Sequence, residues 1–232
     1  MPINGRPLLD YWLQALLLSN FKSVYVNTHF MSEIVVDYLS QDRFKGWVTP
    51  VYEKNILGTA GTIGALKDRL SRECVFIAHA DNWCNININE FVASHVMAKK
   101  KGCLISMVTF ITEDPKGCGI CDVDDGILIG FKEKDSIAQG NIANGAIYIF
   151  EPEVVEWISS NLNIVDISTQ VIPHYLGKIA VWSHHGFFRD IGSIDSLLNA
   201  QHDEVPINIF KKDTWDSKYL SSDICMTIKR FN

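Results

Sequence analysis

No apolar run in this chain of 232 residues reaches the roughly 18 residues that a membrane-spanning helix needs. Positive charge is also scarce. The 21 Lys and Arg face 27 Asp and Glu, a net charge of −6, so no broad basic face for nucleic acid is expected. The triplet Lys99-Lys100-Lys101 reads as the solvated end of a helix. The opening Met1-Pro2-Ile3-Asn4-Gly5 lacks a charged segment followed by an apolar one, so no secretion signal is expected. Six cysteines are spread thinly, and Cys74 and Cys103 lie in apolar runs. That usage predicts reduced thiols and a cytoplasmic location. Cys118-Gly119-Ile120-Cys121 has CxxC spacing, but without a second pair it says little for zinc or redox chemistry. Walker A, GxGxxG and GxSxG patterns are missing. The histidines form no cluster: His184 and His185 are neighbours, and His79 alternates with apolar residues as a satisfied core histidine would. Linkers, repeats and low-complexity segments are missing too. The expectation is therefore one domain over residues 1–202 with a tail over 203–232, in which little secondary structure is legible.

What is present is a βα rhythm. Pro7 opens an apolar segment that predicts a helix over 7–20. Strands are expected at 22–27 and 48–52, with a helix at 32–39 between them. A short apolar run, Cys74-Val75-Phe76-Ile77-Ala78, reads as a buried strand of a mainly parallel sheet. It is followed by a helix at 89–100 and a strand at 103–110. Thereafter the pattern is mixed. Strands at 117–123 and 127–132 are joined by Asp124-Asp125-Gly126, a hairpin signal. Further strands are expected at 143–150, 178–183 and 186–189, and helices at 153–160, 167–175 and 193–202.

Chemistry is expected where strands end, because ligands of open α/β sheets bind beyond the carboxyl ends of strands. Asp81 ends the run Val75–Ala78-His79-Ala80, and Asp190 follows Phe187-Phe188-Arg189 in similar fashion. Each reads equally as a turn or helix cap or as a ligand of a divalent cation. Gly58-Thr59-Ala60-Gly61 is a strand-to-helix junction of small residues, suited to close approach of a ligand or to tight packing. Glu133 and Lys134 end another strand, and Asn144-Gly145 open the next. On their own the first pair reads as a solvated strand end and the second as a bulge.

Taken together and in order, these stretches resemble the sugar-1-phosphate nucleotidylyltransferases, particularly the mannose-1-phosphate guanylyltransferase-like branch. The stretches that carry the likeness are Pro2-Ile3-Asn4-Gly5-Arg6-Pro7-Leu8-Leu9-Asp10, Val26-Asn27-Thr28-His29 and Leu57-Gly58-Thr59-Ala60-Gly61. They continue with Ala80-Asp81-Asn82, Phe131-Lys132-Glu133-Lys134, Asn144-Gly145-Ala146-Ile147-Tyr148 and Asp190-Ile191-Gly192-Ser193. The resemblance implies a Rossmann-like, GT-A-type α/β fold with a mixed, mostly parallel sheet flanked by helices. It implies transfer of a nucleotidyl group from an NTP, with a lean to GTP, onto a mannose- or heptose-like sugar 1-phosphate, with release of pyrophosphate. Asp81 and Asp190 would hold Mg²⁺, and Lys134 would contact the sugar phosphate. Glu133, Asn144 and Gly145 would meet the sugar, and Gly58, Thr59, Ala60 and Gly61 the nucleotide. The family's G-x-G-[TS]-R-[LM] loop and the strand before it are not found in this sequence. The expectation is thus a sheet without its first strand and impaired transfer. Two other readings stay open, a nucleotide-sugar-binding regulator and a GT-A glycosyltransferase with Asp122-Val123-Asp124 as its metal motif. The resemblance also leaves a homo-oligomer open.

Overall fold

The structure is a computed structural model. It describes residues 1–70, 73–135, 137, 139–206 and 209–231, the last three by backbone alone. In chain order the elements are β1 (Pro2–Ile3), β2 (Arg6–Pro7), α1 (Leu8–Leu18), β3 (Val24–Thr28), α2 (Ser32–Leu39) and β4 (Val48–Tyr52). Next come α3 (Thr59–Ala65), α4 (Lys67–Leu70), β5 (Val75–Ala78), β6 (Asn82–Cys84), α5 (Ile88–Lys100) and β7 (Ile105–Ile111). They are followed by β8 (Gly119–Asp124), β9 (Ile127–Glu133), β10 (Ile142–Phe150), α6 (Pro152–Ser160), α7 (Ile172–His174) and β11 (Ile179–Ser183). The last are β12 (Phe188–Asp190), α8 (Ile194–Ala200), α9 (Thr214–Leu220) and α10 (Asp223–Phe231). The chain divides into two compact units that interleave along the sequence. Unit one comprises residues 1–56, 80–88 and 187–232, and unit two 57–79 and 89–186.

In unit one, β3 and β4 pair in parallel, with α2 as the crossover that a parallel pair requires. Val24 and Val26 of β3 pack against a core of Leu13, Tyr38, Leu39, Phe44, Phe210 and Val48 of β4. The rings of Tyr38 and Phe44 lie 5.0 Å apart, and Phe44 meets Phe210 edge-on at 5.6 Å. Phe210 belongs to the tail, where little structure was expected. In fact Asp213 caps α9 through a capping box with Asp216, and α10 follows. Asp10 of α1 is fully buried. It accepts from Arg6 Nη1 (2.7 Å), Gln14 Nε2 (3.2 Å) and the Tyr38 hydroxyl. Burying a carboxylate is tolerable only with such partners. Antiparallel β6 and β12 complete the unit's strand pairs, alongside β1 and β2.

Unit two is built on one six-stranded sheet of order β5-β10-β7-β11-β9-β8. Its centre is β10, whose residues 147–150 are buried and which pairs with β5, β7 and β8. The core gathers Ile105, Met107, Leu128, Tyr148, Phe150, Val154, Ile158 and Val171. The expected α/β mixture is present, but the strand directions differ from expectation. Within this sheet only β7 and β11 run parallel; every other ladder among the described residues is antiparallel. β5 is not a fully buried inner strand either. It sits at the sheet edge and its four residues are half-buried. A short apolar run cannot distinguish these cases, because it lacks any alternation that reports a covered face. The helix expected over 167–175 is one π-helical turn at Ile167–Val171 running into α7, a form that hydrophobic period does not encode.

Candidate functional site

In unit one the ladder pairs Asp190 with Asn82 and Arg189 with Trp83. One step beyond it, the Ile191 amide donates to the Asp81 carbonyl at 3.2 Å. Asp81 and Asp190 therefore stand at adjacent, staggered positions where two paired strands end, and both side chains are exposed. The Gly192 amide donates to Asp190 Oδ1 at 2.7 Å, which fixes that carboxylate. Below them the frame is rigid. Trp12 Nε1 donates to the Asn82 carbonyl (2.9 Å), and Trp83, fully buried, donates to Asp203 (3.1 Å). Arg189 grips the same Asp203 with two bonds of 2.6 and 2.9 Å. Two hard carboxylate oxygens at one end of a strand pair suit Mg²⁺, which is commonly held by one or two carboxylates with phosphates and waters completing its shell.

In unit two a second cluster forms around an irregularity in β10. Against β7, Asn144 is opposite Thr109 and Tyr148 opposite Met107, so four steps in one strand match two in the other. Ala146 takes up the excess in a left-handed conformation, φ +50°. Asn144 pins the bulge: its Oδ1 accepts from the Ala146 amide (2.9 Å) and its Nδ2 donates to the Tyr148 hydroxyl (2.7 Å). Its amide retains one N–H and one lone pair for a ligand. Ser168 stands close enough to both Tyr148 and Glu133 to favour their ionised forms. Burial pushes the Glu133 carboxyl above its ordinary pKa; Lys134 opposes this and Asp166 adds to it. Lys134 itself is exposed and left-handed (φ +46°), its amide donating to the Cys118 carbonyl. Thr59 Oγ1 donates to Asp166 Oδ2 (3.2 Å) and accepts from the Ile167 amide (2.8 Å). Burial alone would raise the Asp166 pKa, but bonds from Thr169 and Thr59 outweigh it and lower the value.

Two buried polar atoms near this bulge, His79 Nε2 and Thr109 Oγ1, lack a hydrogen-bond partner among the described residues. His79 donates its amide to the Ala146 carbonyl. Its ring nitrogen nonetheless sets it apart from the satisfied core histidine that its apolar neighbours suggest. Orphaned atoms of this kind call for an explanation, and a polar ligand at the bulge is one. At the glycine loop the packing expected of its small residues is present. The Ala60 and Gly61 amides are spent on the Val165 carbonyl (3.0 and 3.3 Å). A Cβ at Gly58, where φ is +82°, would meet that same carbonyl oxygen at 2.3 Å. Tight packing therefore explains Gly58. Asp122-Val123-Asp124 lies inside the β8–β9 hairpin ladder, opposite Gly130, Leu128 and Ile127.

Unit two thus joins Glu133, Asn144 and Thr59 to Tyr148, Asp166, Ser168 and His79, which the sequence reading did not single out as site residues. Asp166-Ile167-Ser168-Thr169 does carry the signature of a helix cap, and Asp166 indeed caps through the Thr169 amide at 2.7 Å.

Residues 1–205 match the family model described as nucleotidyl transferase. The chain belongs to that family. Among its relatives, a protein of Sulfolobus acidocaldarius assigned as a mannose-1-phosphate guanyltransferase is 27% identical over 196 residues, covering 83% of this chain and 53% of the relative. The mannose-1-phosphate guanylyltransferase catalytic subunit beta of Drosophila pseudoobscura pseudoobscura is 28% identical over 200 residues, covering 84% and 53%. The chain thus spans about half the length of these curated relatives. A solved structure from Bacillus anthracis, assigned as a glucose-1-phosphate thymidylyltransferase and holding sucrose, superposes with a TM-score of 0.77. It is 18% identical and covers 90% of this chain and 88% of its own. That likeness establishes the fold.

Proposed function

We propose that this family member transfers a nucleotidyl group from an NTP, GTP in first place, to a mannose- or heptose-like sugar 1-phosphate. A phosphate oxygen of the sugar attacks the α-phosphorus in line, and the bond to the β-phosphate breaks to release pyrophosphate. Such chemistry asks little covalent work of the protein; positioning and charge neutralisation carry it. Asp81 and Asp190 would hold Mg²⁺, which when bound neutralises phosphate charge. Lys134 offers its ammonium to the sugar phosphate. Glu133 and the remaining N–H and lone pair of Asn144 meet sugar hydroxyls, where Gly145 lets the ring come close to the backbone. The segment Gly58-Thr59-Ala60-Gly61 lies against the nucleoside, met through its surface and carbonyls, since two of its amides are engaged.

The observation that carries this reading is the placement of Asp81 and Asp190 at adjacent ends of β6 and β12. The orphaned polar atoms at the β10 bulge add support. The test is pyrophosphate release with Mg²⁺ over a panel of NTPs and sugar 1-phosphates. Asp81→Asn and Asp190→Asn should each lower turnover by about 10²–10³-fold, the effect of removing one preorganised charge-stabilising group. Chelation of Mg²⁺ should abolish it. Pyrophosphate release by the unaltered chain that matches that of the double variant, for every substrate pair, overturns the proposal.

A further inference from the structure

At the other end of β5, away from the one that leads to Asp81, three side chains of unit two converge. Cys74 immediately precedes β5, and Glu151 immediately follows β10. The antiparallel register that pairs Phe150 with Val75 makes these two neighbours. His95 reaches them from α5. One ligand atom from each of the three, sulfur, nitrogen and oxygen, lies within 4.8 Å of the other two. His95 and Glu151 are 3% and 1% exposed, whereas Cys74 is open to solvent.

The supporting contacts are those of a metal site's outer shell. His95 Nε2 lies 3.1 Å from Glu151 Oε1, and Nδ1 lies 2.8 Å from Ser106 Oγ on β7. Ser106 is buried, so it can hold Nδ1 and leave Nε2 as the ligating nitrogen. Lys99 Nζ takes the second carboxylate oxygen, Oε2, at 2.6 Å. That leaves Oε1 towards His95, with the Cys74 sulfur close by. We propose that Cys74, His95 and Glu151 form a binding site for a borderline divalent cation of the zinc type. The donor set decides the class. Thiolate, imidazole and carboxylate together suit Zn²⁺ rather than Mg²⁺ or Ca²⁺, which take oxygen alone. Zinc bonds of about 2.0–2.3 Å at tetrahedral angles separate ligand atoms by roughly 3.4–3.6 Å. The present spacing needs only modest movement to close on such an ion, and the exposure of Cys74 leaves the fourth position to water. On binding, the thiol proton leaves to solvent, and the ion ties together the start of β5, the end of β10 and α5. The Lys99 ammonium offsets one of the two negative ligands. The site shares no residue with the proposed nucleotidyl-transfer machinery.

The test uses the full chain, reduced and stripped of metal, titrated with Co²⁺ and then Zn²⁺. The expected result is one equivalent of Co²⁺ bound with a thiolate-to-cobalt charge-transfer band, displaced by Zn²⁺, which also raises the melting temperature. Cys74→Ser, at an exposed position, should abolish the band and the Zn²⁺-dependent shift. His95→Gln should weaken binding at least about tenfold, the range for disturbing a metal's ligand environment. Cys118→Ser, which breaks the CxxC pair, should change neither. A band that survives Cys74→Ser, a band that vanishes with Cys118→Ser, or no band at saturating Co²⁺ overturns the proposal. Pyrophosphate release is not the readout, so its outcome leaves this test intact.

Discussion

Replacing Asp10 by Ala tests what holds the tail to the start of the chain. Asp10 is fully buried on α1 and bonds Arg6, Gln14 and Tyr38. It also lies 3.8 Å from Arg43 Nη2. Arg43 in turn reaches Asp216 of α9 at 3.3 Å and the Lys211 carbonyl at 3.2 Å, with its guanidinium 5.1 Å from the centre of the Phe44 ring. Burial and the Asp10 carboxylate push the Tyr38 hydroxyl's pKa far up, so the phenol stays a donor at every working pH. Truncating Asp10 leaves two guanidiniums, 11% and 13% exposed, with Asp216 as their remaining carboxylate among the described residues. Breaking a buried ion pair from one side costs about 3–5 kcal/mol. At roughly 2–4 °C per kcal/mol for a chain of this size, melting should fall by about 6–20 °C. Urea denaturation followed by tryptophan fluorescence gives the free energy directly. Trypsin should also cut residues 209–231 faster in the variant. The control is Asp42→Asn, whose partner Lys45 and itself are 70% and 93% exposed, and which should leave the midpoint unmoved. If Asp10→Ala loses no more than Asp42→Asn, the buried network is not what secures the tail.

Other outcomes follow from the same structure. Glu133→Gln should raise stability at pH 7 while lowering sugar 1-phosphate turnover. The folded pKa of Glu133 is raised, so the native state holds its proton longer than the unfolded chain, and stability falls as pH rises from the ordinary carboxylate value through the raised one. The variant should lose that decline, measured as denaturation midpoints between pH 4 and 7; an unchanged pH profile counts against the assignment. Gly58→Ala should destabilise by clearly more than Gly46→Ala. Both glycines have φ above +80°, so both carry the roughly 1 kcal/mol left-handed penalty, but only the Cβ at Gly58 strikes a carbonyl oxygen. Equal midpoints for the two variants would show that the Val165 loop yields.

What could be read in advance was whatever depends on local pattern. The α2 and β4 boundaries coincide with expectation because length and β-branched content agree, although no side chain caps α2: Met31 precedes it in a left-handed conformation. The turn Asp124-Asp125-Gly126 forms as its chemistry requires, with φ of +44° and +73° at Asp125 and Gly126. Asp190 ends β12 as its run suggests, whereas Asp81 stands in the turn after β5, just before β6 begins, a second short strand that the apolar run does not announce. Non-local facts were not legible. Nothing in Val75–Ala78 says that its neighbour runs antiparallel or that its other side lies at an edge. The tail looked formless because its two helices are short and its buried contacts, Phe210 on Phe44 and Asp216 on Arg43, lie far away in sequence. At the bulge, Ser168 meets Glu133 and Tyr148 only because a π-helical turn carries it there. The same holds for Cys74, His95 and Glu151, spread over 78 positions and joined by one ladder register and one helix. A motif search reads residues close in sequence. Here the local motifs marked the strand ends, while side chains from distant segments supply much of the polar chemistry around them. The variants that discriminate best are therefore those at Glu133 and Cys74, whose neighbours only the fold reveals.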